Sequence, residues 1–210
     1  MTVRQLLVAI LVPWPALAGA DATQEWHFRV LLDGNPIGWH RYAIEDRNGN
    51  RSMRSQARFD VKFLFFQAYT YVHELRERWN GDCLTAIDAR TEDNGKHSAV
   101  RGMQDGASFR VSNVQGNAEL PACVMSFAYW NPAILTQTRL LNSQTGEYTP
   151  VRVEQLGAQT IDVRGERVRA WRYALHAPRY RIDVWYTDDR RWVQLETRTD
   201  GGRELRYLID

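Results

Sequence analysis

Lysine is almost absent from this chain, and so is any large excess of charge. Lys62 and Lys96 are the only lysines, the other basic residues are arginines, and the formal net charge is +2 over 210 residues. A nucleic-acid-binding protein would show a net basic field or an aromatic and basic motif, so the composition argues against that class of partner. The preference for arginine has two explanations: the base composition of the genome, or recognition of carboxylate or phosphate by the guanidinium fork.

The sequence motifs of common catalytic sites are also missing. There is no Gly-x-Ser-x-Gly nucleophile elbow and no glycine-rich phosphate loop. His73-Glu74 resembles the start of a zinc-protease motif, but Glu77 stands where the second histidine is needed. In a strand, residues 73 and 77 share a face about 13 Å apart. We predict no catalytic residue and no cofactor, although a catalytic site built from residues distant in sequence stays open.

No apolar run is long enough to cross a membrane. Arg4 precedes the apolar run 6–12, Pro13 and Pro15 follow it, and Ala18-Gly19-Ala20 offers small residues for cleavage. A membrane anchor, the alternative, needs roughly 20 apolar residues. The pattern is typical of a signal peptide. We therefore predict a signal peptide over residues 1–20, cleavage near Ala20, a periplasmic or secreted protein, and a single β-rich domain over residues 21–210 without a transmembrane segment.

Cysteine is rare as well. Cys83 and Cys123 are the only two, and they lie too far apart for a redox-active Cys-x-x-Cys pair. Oxidising compartments favour a structural disulfide between them, and two buried thiols are the alternative.

Turn signals are abundant and recur about every ten residues. Asn-Gly and Asp-Gly pairs such as Asp33-Gly34, Asn48-Gly49 and Asn94-Gly95 accept the positive φ angles of tight hairpins. Alternating apolar and polar residues between them predict strands with one buried face. The fold class is therefore mainly β: a long antiparallel meander curled into a half-barrel or open barrel.

One short helix is predicted, over about residues 132–142, packed on this sheet. Asn131 suits the N-cap and Pro132 the first helical position. Near the carboxyl terminus, a turn centred on Asp188-Asp189 predicts a hairpin that pairs Val184 with Val193 and Ile182 with Leu195.

The strand 182–186, its acidic turn, the segment 34–42 with Pro36-Ile37-Gly38, and Trp130-Asn131-Pro132 together resemble an uncharacterised family of exported bacterial β proteins. This family is a domain of unknown function of the 6134 type, related to other periplasmic domain-of-unknown-function β proteins. The resemblance covers nearly the whole mature chain. It implies a periplasmic β-rich fold and transfers no catalytic residues.

Two histidines are the only candidates for metal ligands. A tight turn at Asp33-Gly34 would place His27 and His40 directly opposite each other, where two imidazoles could begin a metal site. The alternative is two half-exposed strand histidines without a ligand, and no metal is predicted.

An apolar cavity is the strongest functional hypothesis. The segment 63–66 is apolar on both faces, so either both faces are covered or one faces a pocket. The candidate lining residues are Phe63, Phe65, Tyr71, Trp130, Ile134 and Leu135, with arginines at the rim for an anionic head group.

These features favour an exported, non-enzymatic binding or carrier protein for a hydrophobic or lipid-like ligand. The first alternative is a cell-envelope interaction or structural protein that binds another envelope protein through exposed strand edges and aromatic patches. An uncharacterised hydrolase is the third. A lipid or other apolar small molecule is the expected partner in the first case.

Overall fold

A computed structural model describes residues 22–63 and 66–210 of the protein, so the predicted signal peptide lies outside the described residues. The strands are numbered in chain order. They are β1 (Ala22–Leu32), β2 (Asn35–Arg47), β3 (Asn50–Phe63), β4 (Phe66–Asn80), β5 (Cys83–Asp93), β6 (Lys96–Asp105), β7 (Ser108–Asn113), β8 (Gly116–Pro121), β9 (Arg139–Leu141), β10 (Tyr148–Pro150), β11 (Arg152–Val163), β12 (Glu166–His176), β13 (Arg181–Thr187), β14 (Trp192–Arg198) and β15 (Glu204–Ile209).

Thirteen of these strands form one antiparallel sheet in the order β11-β12-β13-β14-β15-β1-β2-β3-β4-β5-β6-β7-β8. The last strand pairs with the first, with Tyr207 opposite Val30, which joins the two halves of the chain. Within the described ranges no ladder joins the edge strands β8 and β11, so the sheet stays open. The predicted fold class, a mainly β antiparallel meander that forms an open rather than a closed barrel, is confirmed.

One face of the sheet is buried, and we call it the inner face. On β4 the inner residues Tyr71, His73 and Glu77 are buried, while Arg76 and Arg78 between and beyond them are exposed. This is the two-residue period of a strand with one face on a core. From Tyr71 to Asn80, the alternation therefore separates the β4 side chains in the core from those on the outer face.

The segment between β8 and β11, residues 122–151, crosses the inner face, and we call it the crossing segment. A disulfide joins Cys83 to Cys123 at its start, as predicted, and the backbone N–H of Leu84 donates to the carbonyl of Val124 at 2.9 Å. The hairpin of β9 and β10 follows. The disulfide and the hydrogen bond beside it hold this segment against the sheet.

The helix is shorter than the predicted 132–142. It is a single 3-10 helix over Pro132–Thr136, and the side chain of Asn131 caps it by accepting from the N–H of Ala133 at 3.0 Å. Residues 139–141 form β9 instead. The reason is tertiary: the backbone of Leu141 donates to Met125 at 2.8 Å and accepts from Phe127 at 3.2 Å, so its hydrogen bonds are taken by neighbouring chain.

The predicted hairpin register of β13 and β14 is wrong by two residues. Val184 lies opposite Leu195 rather than Val193, and Ile182 opposite Thr197 rather than Leu195. The turn is longer than two residues, because Arg190 takes a positive φ of 62° and the N–H of Thr187 donates to the carbonyl of Arg191. A type I turn followed by one left-handed residue gives this wider loop. A shift of two keeps each side chain on its predicted face.

Among the described residues, none of the helices has both the length and the apolar character that a membrane crossing requires.

Candidate functional site

The inner face and the crossing segment enclose a cavity of about 310 Å³. Strands β2, β3 and β4 form one wall, β14 and β15 another, and residues 126–130 and 142–144 cover it. Its lining is a mixture of tyrosines, histidines, small polar residues and a few apolar side chains. The buried part of this lining includes Tyr71, His73, Glu77 and Trp130, and the exposed part includes Gln144, Arg198 and Asp200.

His40 and Ser55 form a short polar contact in the lining. The Nε2 atom of His40 lies 2.6 Å from Oγ of Ser55, and the Nδ1 atom lies 3.2 Å from the hydroxyl of Tyr42. Burial, followed by the nearby imidazole of His73, holds the pKa of His40 well below its usual value. A neutral imidazole on a serine is the arrangement that activates a nucleophile. Ser55 is only 2% exposed, so its hydroxyl is almost completely covered in this structure.

His73 lies on the same face, two strands away. His40 is opposite Ala57 on β3, and Ala57 is opposite His73 on β4. The Nδ1 atom of His73 is 2.8 Å from Oγ1 of Thr91, and its Nε2 atom is 3.5 Å from Oγ of Ser143 on the crossing segment. Burial lowers the pKa of His73 to about 4. The cavity wall therefore presents neutral imidazoles at neutral pH.

This pKa predicts a loss of stability in acid. Below its unfolded pKa of about 6.5, the unfolded chain binds a proton at His73 that the folded protein does not, so stability falls as pH decreases from 6.5 towards 4. Between pH 7 and pH 4.5, the wild type should lose about 2 kcal/mol more of its unfolding free energy than the variant His73→Gln does. Urea titrations at both pH values measure this difference. The matched control is His27→Gln on the outer face, and an equal effect of both changes would contradict the prediction.

The deep end of the cavity holds two buried polar atoms without partners. Oε2 of Glu77 accepts from Nε1 of Trp79 at 3.1 Å, but Oε1 of Glu77 has no hydrogen-bond partner within the described part of the chain. The same holds for Nε1 of Trp130, whose ring meets that of Trp79 edge to face at 5.4 Å. Burial raises the pKa of Glu77 to about 7, against the lowering effect of the neighbouring Ser126 and Trp79 side chains. Glu77 and Trp130 both line the cavity, and each carries one buried polar atom without a partner within the described residues.

The other end of the cavity opens to solvent. Gln144, Arg198 and Asp200 line it and are exposed, whereas Glu77 and Trp130 are buried. A guanidinium of Arg198 donates to the carbonyl of Gly202 at 2.9 Å, which positions one cation at this opening. The cavity thus changes from exposed and charged at its mouth to buried and largely aromatic inside.

The predicted apolar lining is only partly brought together. Tyr71 and Trp130 line the cavity, whereas Ile134, fully buried, and Leu135, partly buried, pack into the core beside it. Phe65 and the side chain of Phe63 lie outside what the structure describes. The polar members His73 and Glu77 were not predicted from the sequence as site residues, and His40 was considered only as a metal ligand paired with His27. The alternation on β4 carried the signal, since it placed His73 and Glu77 on the buried face.

The predicted pair of His27 and His40 does not form. His27 lies opposite Arg41 and points to the outer face, while His40 lies opposite Phe28 on the inner face. The tight turn is present, but a bulge beside it shifts the register by one residue: Leu31 pairs with Pro36 and Val30 with Gly38. A one-residue shift moves a side chain to the other face. No cluster of three or more potential metal ligands occurs within residues 22–63 and 66–210.

Gly38 is required where this bulge meets β3. A Cβ atom at Gly38 would stand 1.9 Å from the carbonyl oxygen of Arg58, far inside contact distance. The close approach of the two backbones therefore needs a residue without a side chain. This approach holds β2 against β3 at the level of the cavity wall.

Comparison with known proteins gives a family and a fold. The model of the family described as "Domain of unknown function (DUF6134)" matches residues 28–210. Among solved structures, the chain is similar to the crystal structure of a beta-barrel-like protein of domain of unknown function DUF1849 from Brucella abortus, with a TM-score of 0.65 and 11% identity. The alignment covers 89% of this chain and 94% of the other, and at this identity it shows the fold alone. A search of curated proteins found no match.

Proposed function

We propose that this chain, which belongs to the DUF6134 family, is an exported, non-enzymatic protein that binds a small amphipathic, lipid-like ligand in the cavity of the inner face. The observation that carries the proposal is the pair of unpartnered buried atoms, Oε1 of Glu77 and Nε1 of Trp130. Each such atom costs about 1–3 kcal/mol when no partner satisfies it. A ligand hydroxyl that reached both atoms would donate to the carboxyl oxygen and accept from the indole N–H.

The rest of the lining indicates an elongated ligand. Tyr71 and Glu77 both line the cavity, and six residues of strand separate them, which is about 20 Å. Aromatic rings contribute to this lining: Tyr71 stacks on Phe59 behind it at 5.0 Å, and Tyr207 lies tilted beside His40 at 5.7 Å. An apolar or ring-containing body suits these faces. Because the imidazole of His73 is neutral at neutral pH, an anionic head group is better placed at the mouth beside Arg198.

Blocking the mouth tests the site directly. Gln144 is exposed and lines the opening, so Gln144→Trp should reduce binding of the fluorescent fatty acid cis-parinaric acid at least tenfold while leaving the core intact. Gln159 is equally exposed but lies on the edge strand β11, away from the cavity, and Gln159→Trp is the matched control. Fluorescence titration of wild type and both variants measures the difference.

Equal binding by both variants, or no binding by the wild type together with a consistently ligand-free mass, would contradict the proposal. Native mass spectrometry of gently purified protein provides that second measurement. The same spectrum tests export, because removal of the predicted signal peptide leaves a chain that begins at Asp21. The disulfide between Cys83 and Cys123 is in keeping with an oxidising compartment.

A further inference from the structure

A second concave surface lies on the outer face, on the opposite side of the sheet from the cavity. A groove of about 900 Å³ crosses the six neighbouring strands β3–β8. Its charged lining consists of five basic and three acidic residues. They are Arg54, Arg76, Arg78, Arg101, Arg110, Asp88, Glu119 and Glu77, the last of which is buried on the inner face. The groove is therefore basic although the whole chain is nearly neutral.

Three of these arginines lie close together. Arg54 and Arg76 are directly opposite each other on β3 and β4, and Arg78 follows on the same face. Arg76 also lies opposite Asp88 on β5, but the carboxylate of Asp88 forms its ion pair with Arg101, at 3.8 Å. None of the three has an ion-pair partner in the described portion of the chain, and all three are exposed. Like charges directly opposite on a sheet are destabilising. An anion in the groove would relieve this repulsion and engage free guanidinium donors.

The middle of the groove is apolar. Arg78 lies opposite Ala86, Ala86 opposite Met103, and Met103 opposite Arg110, so one row reads basic, apolar, apolar, basic. Met103 is 61% exposed, which is unusual for a large apolar side chain. The row spans three strand spacings, or about 14 Å. An occupant therefore needs anionic groups beside an apolar body.

We infer that this groove binds anionic lipids, with the phosphates held by Arg54, Arg76 and Arg78 and the apolar part of the lipid against Met103. Arginine forks bind phosphate oxygens in pairs, which suits three adjacent guanidinium groups. An acidic protein segment would satisfy the charges equally well, but it would not require the exposed apolar centre. The inference does not depend on the cavity, which opens on the other face of the sheet.

Sedimentation with lipid vesicles tests this assignment. Wild-type protein should bind phosphatidylglycerol vesicles and not phosphatidylcholine vesicles, and the binding should weaken as salt is raised. Each arginine near an anionic surface strengthens binding about fivefold, so the triple variant R54Q/R76Q/R78Q should bind roughly 100-fold more weakly. The control R164Q/R167Q/R190Q loses the same charge from exposed arginines on the β11–β12 and β13–β14 hairpins and should bind like the wild type.

A second variant, Met103→Glu, keeps every arginine and should also weaken binding, because it places a carboxylate in the apolar centre. Equal loss in the triple variant and its control would show an effect of net charge and overturn the assignment. It is equally overturned if the wild type ignores phosphatidylglycerol vesicles but binds poly-glutamate. Failure of these vesicle experiments leaves the binding of cis-parinaric acid in the cavity untouched, so the two proposals stand or fall separately.

Discussion

Replacing both cysteines of the Cys83–Cys123 disulfide by serine should lower the free energy of unfolding by about 4 kcal/mol. The two cysteines are 40 residues apart, and chain-entropy reasoning gives a cost of this size for a loop of that length. The bond also fixes the start of the crossing segment, which carries Ser126 and Trp130 to the cavity. We therefore expect C83S/C123S to lose binding of cis-parinaric acid as well as stability.

Urea unfolding of the wild type and of C83S/C123S, each with and without reductant, measures the effect. Reductant should lower the free energy of unfolding of the wild type to a value near that of the variant. The variant itself should not respond to reductant, which serves as the control. A difference below about 1 kcal/mol, the usual contribution of a single hydrogen bond, would contradict the prediction. It would mean that backbone hydrogen bonds alone hold the crossing segment.

Trp192→Ala should cost about 3–5 kcal/mol, the range for removing a buried tryptophan. Trp192 is completely buried, and its ring lies 4.3 Å from Phe28, 5.2 Å from Tyr42 and 5.4 Å from Tyr129. It thereby joins β14 to β1, β2 and the crossing segment. Because its contacts come from three other parts of the chain, the surroundings cannot collapse onto the space it leaves.

The matched control is Trp39→Ala. Trp39 is only partly buried on the outer face, where the guanidinium of Arg41 lies over its ring at 4.6 Å. A cation–π contact of this kind contributes about 0.5–1 kcal/mol at exposed sites. Thermal and urea unfolding of both variants should therefore differ clearly, and similar losses would contradict the central role of Trp192 in the core.

Local patterns accounted for most of the strands. Asn-Gly and Asp-Gly pairs such as Asn48-Gly49 mark hairpins because they accept positive φ angles, and these angles occur at Asn48, Gly49, Asn94 and Gly95. The partners of the disulfide could be predicted because two cysteines allow only one intramolecular pairing. These features depend on neighbouring residues or on composition, which is why they could be predicted without a structure.

Positions set by irregularities could not be predicted in this way. The bulge between β1 and β2 separated His27 from His40, and the wide turn before Trp192 displaced the β13–β14 register. Neither changes the alternation of apolar and polar residues enough to be seen. Asn131 caps a helix, as predicted, but this helix is short. The backbone of Leu141 forms hydrogen bonds with Met125 and Phe127 instead of bonds within a longer helix.

The amino-acid order alone determined that this chain forms an antiparallel meander with one buried face, because side-chain direction in a strand alternates with every residue. Only the tertiary structure decided which buried polar groups meet. Glu77 and Trp130 come from a strand and a crossing segment more than fifty residues apart, and both line the cavity. The three arginines of the outer groove likewise became a cluster through the pairing of β3 with β4. Such groupings depend on strand register and chain crossing, which arise from packing over the whole sheet rather than from neighbouring residues.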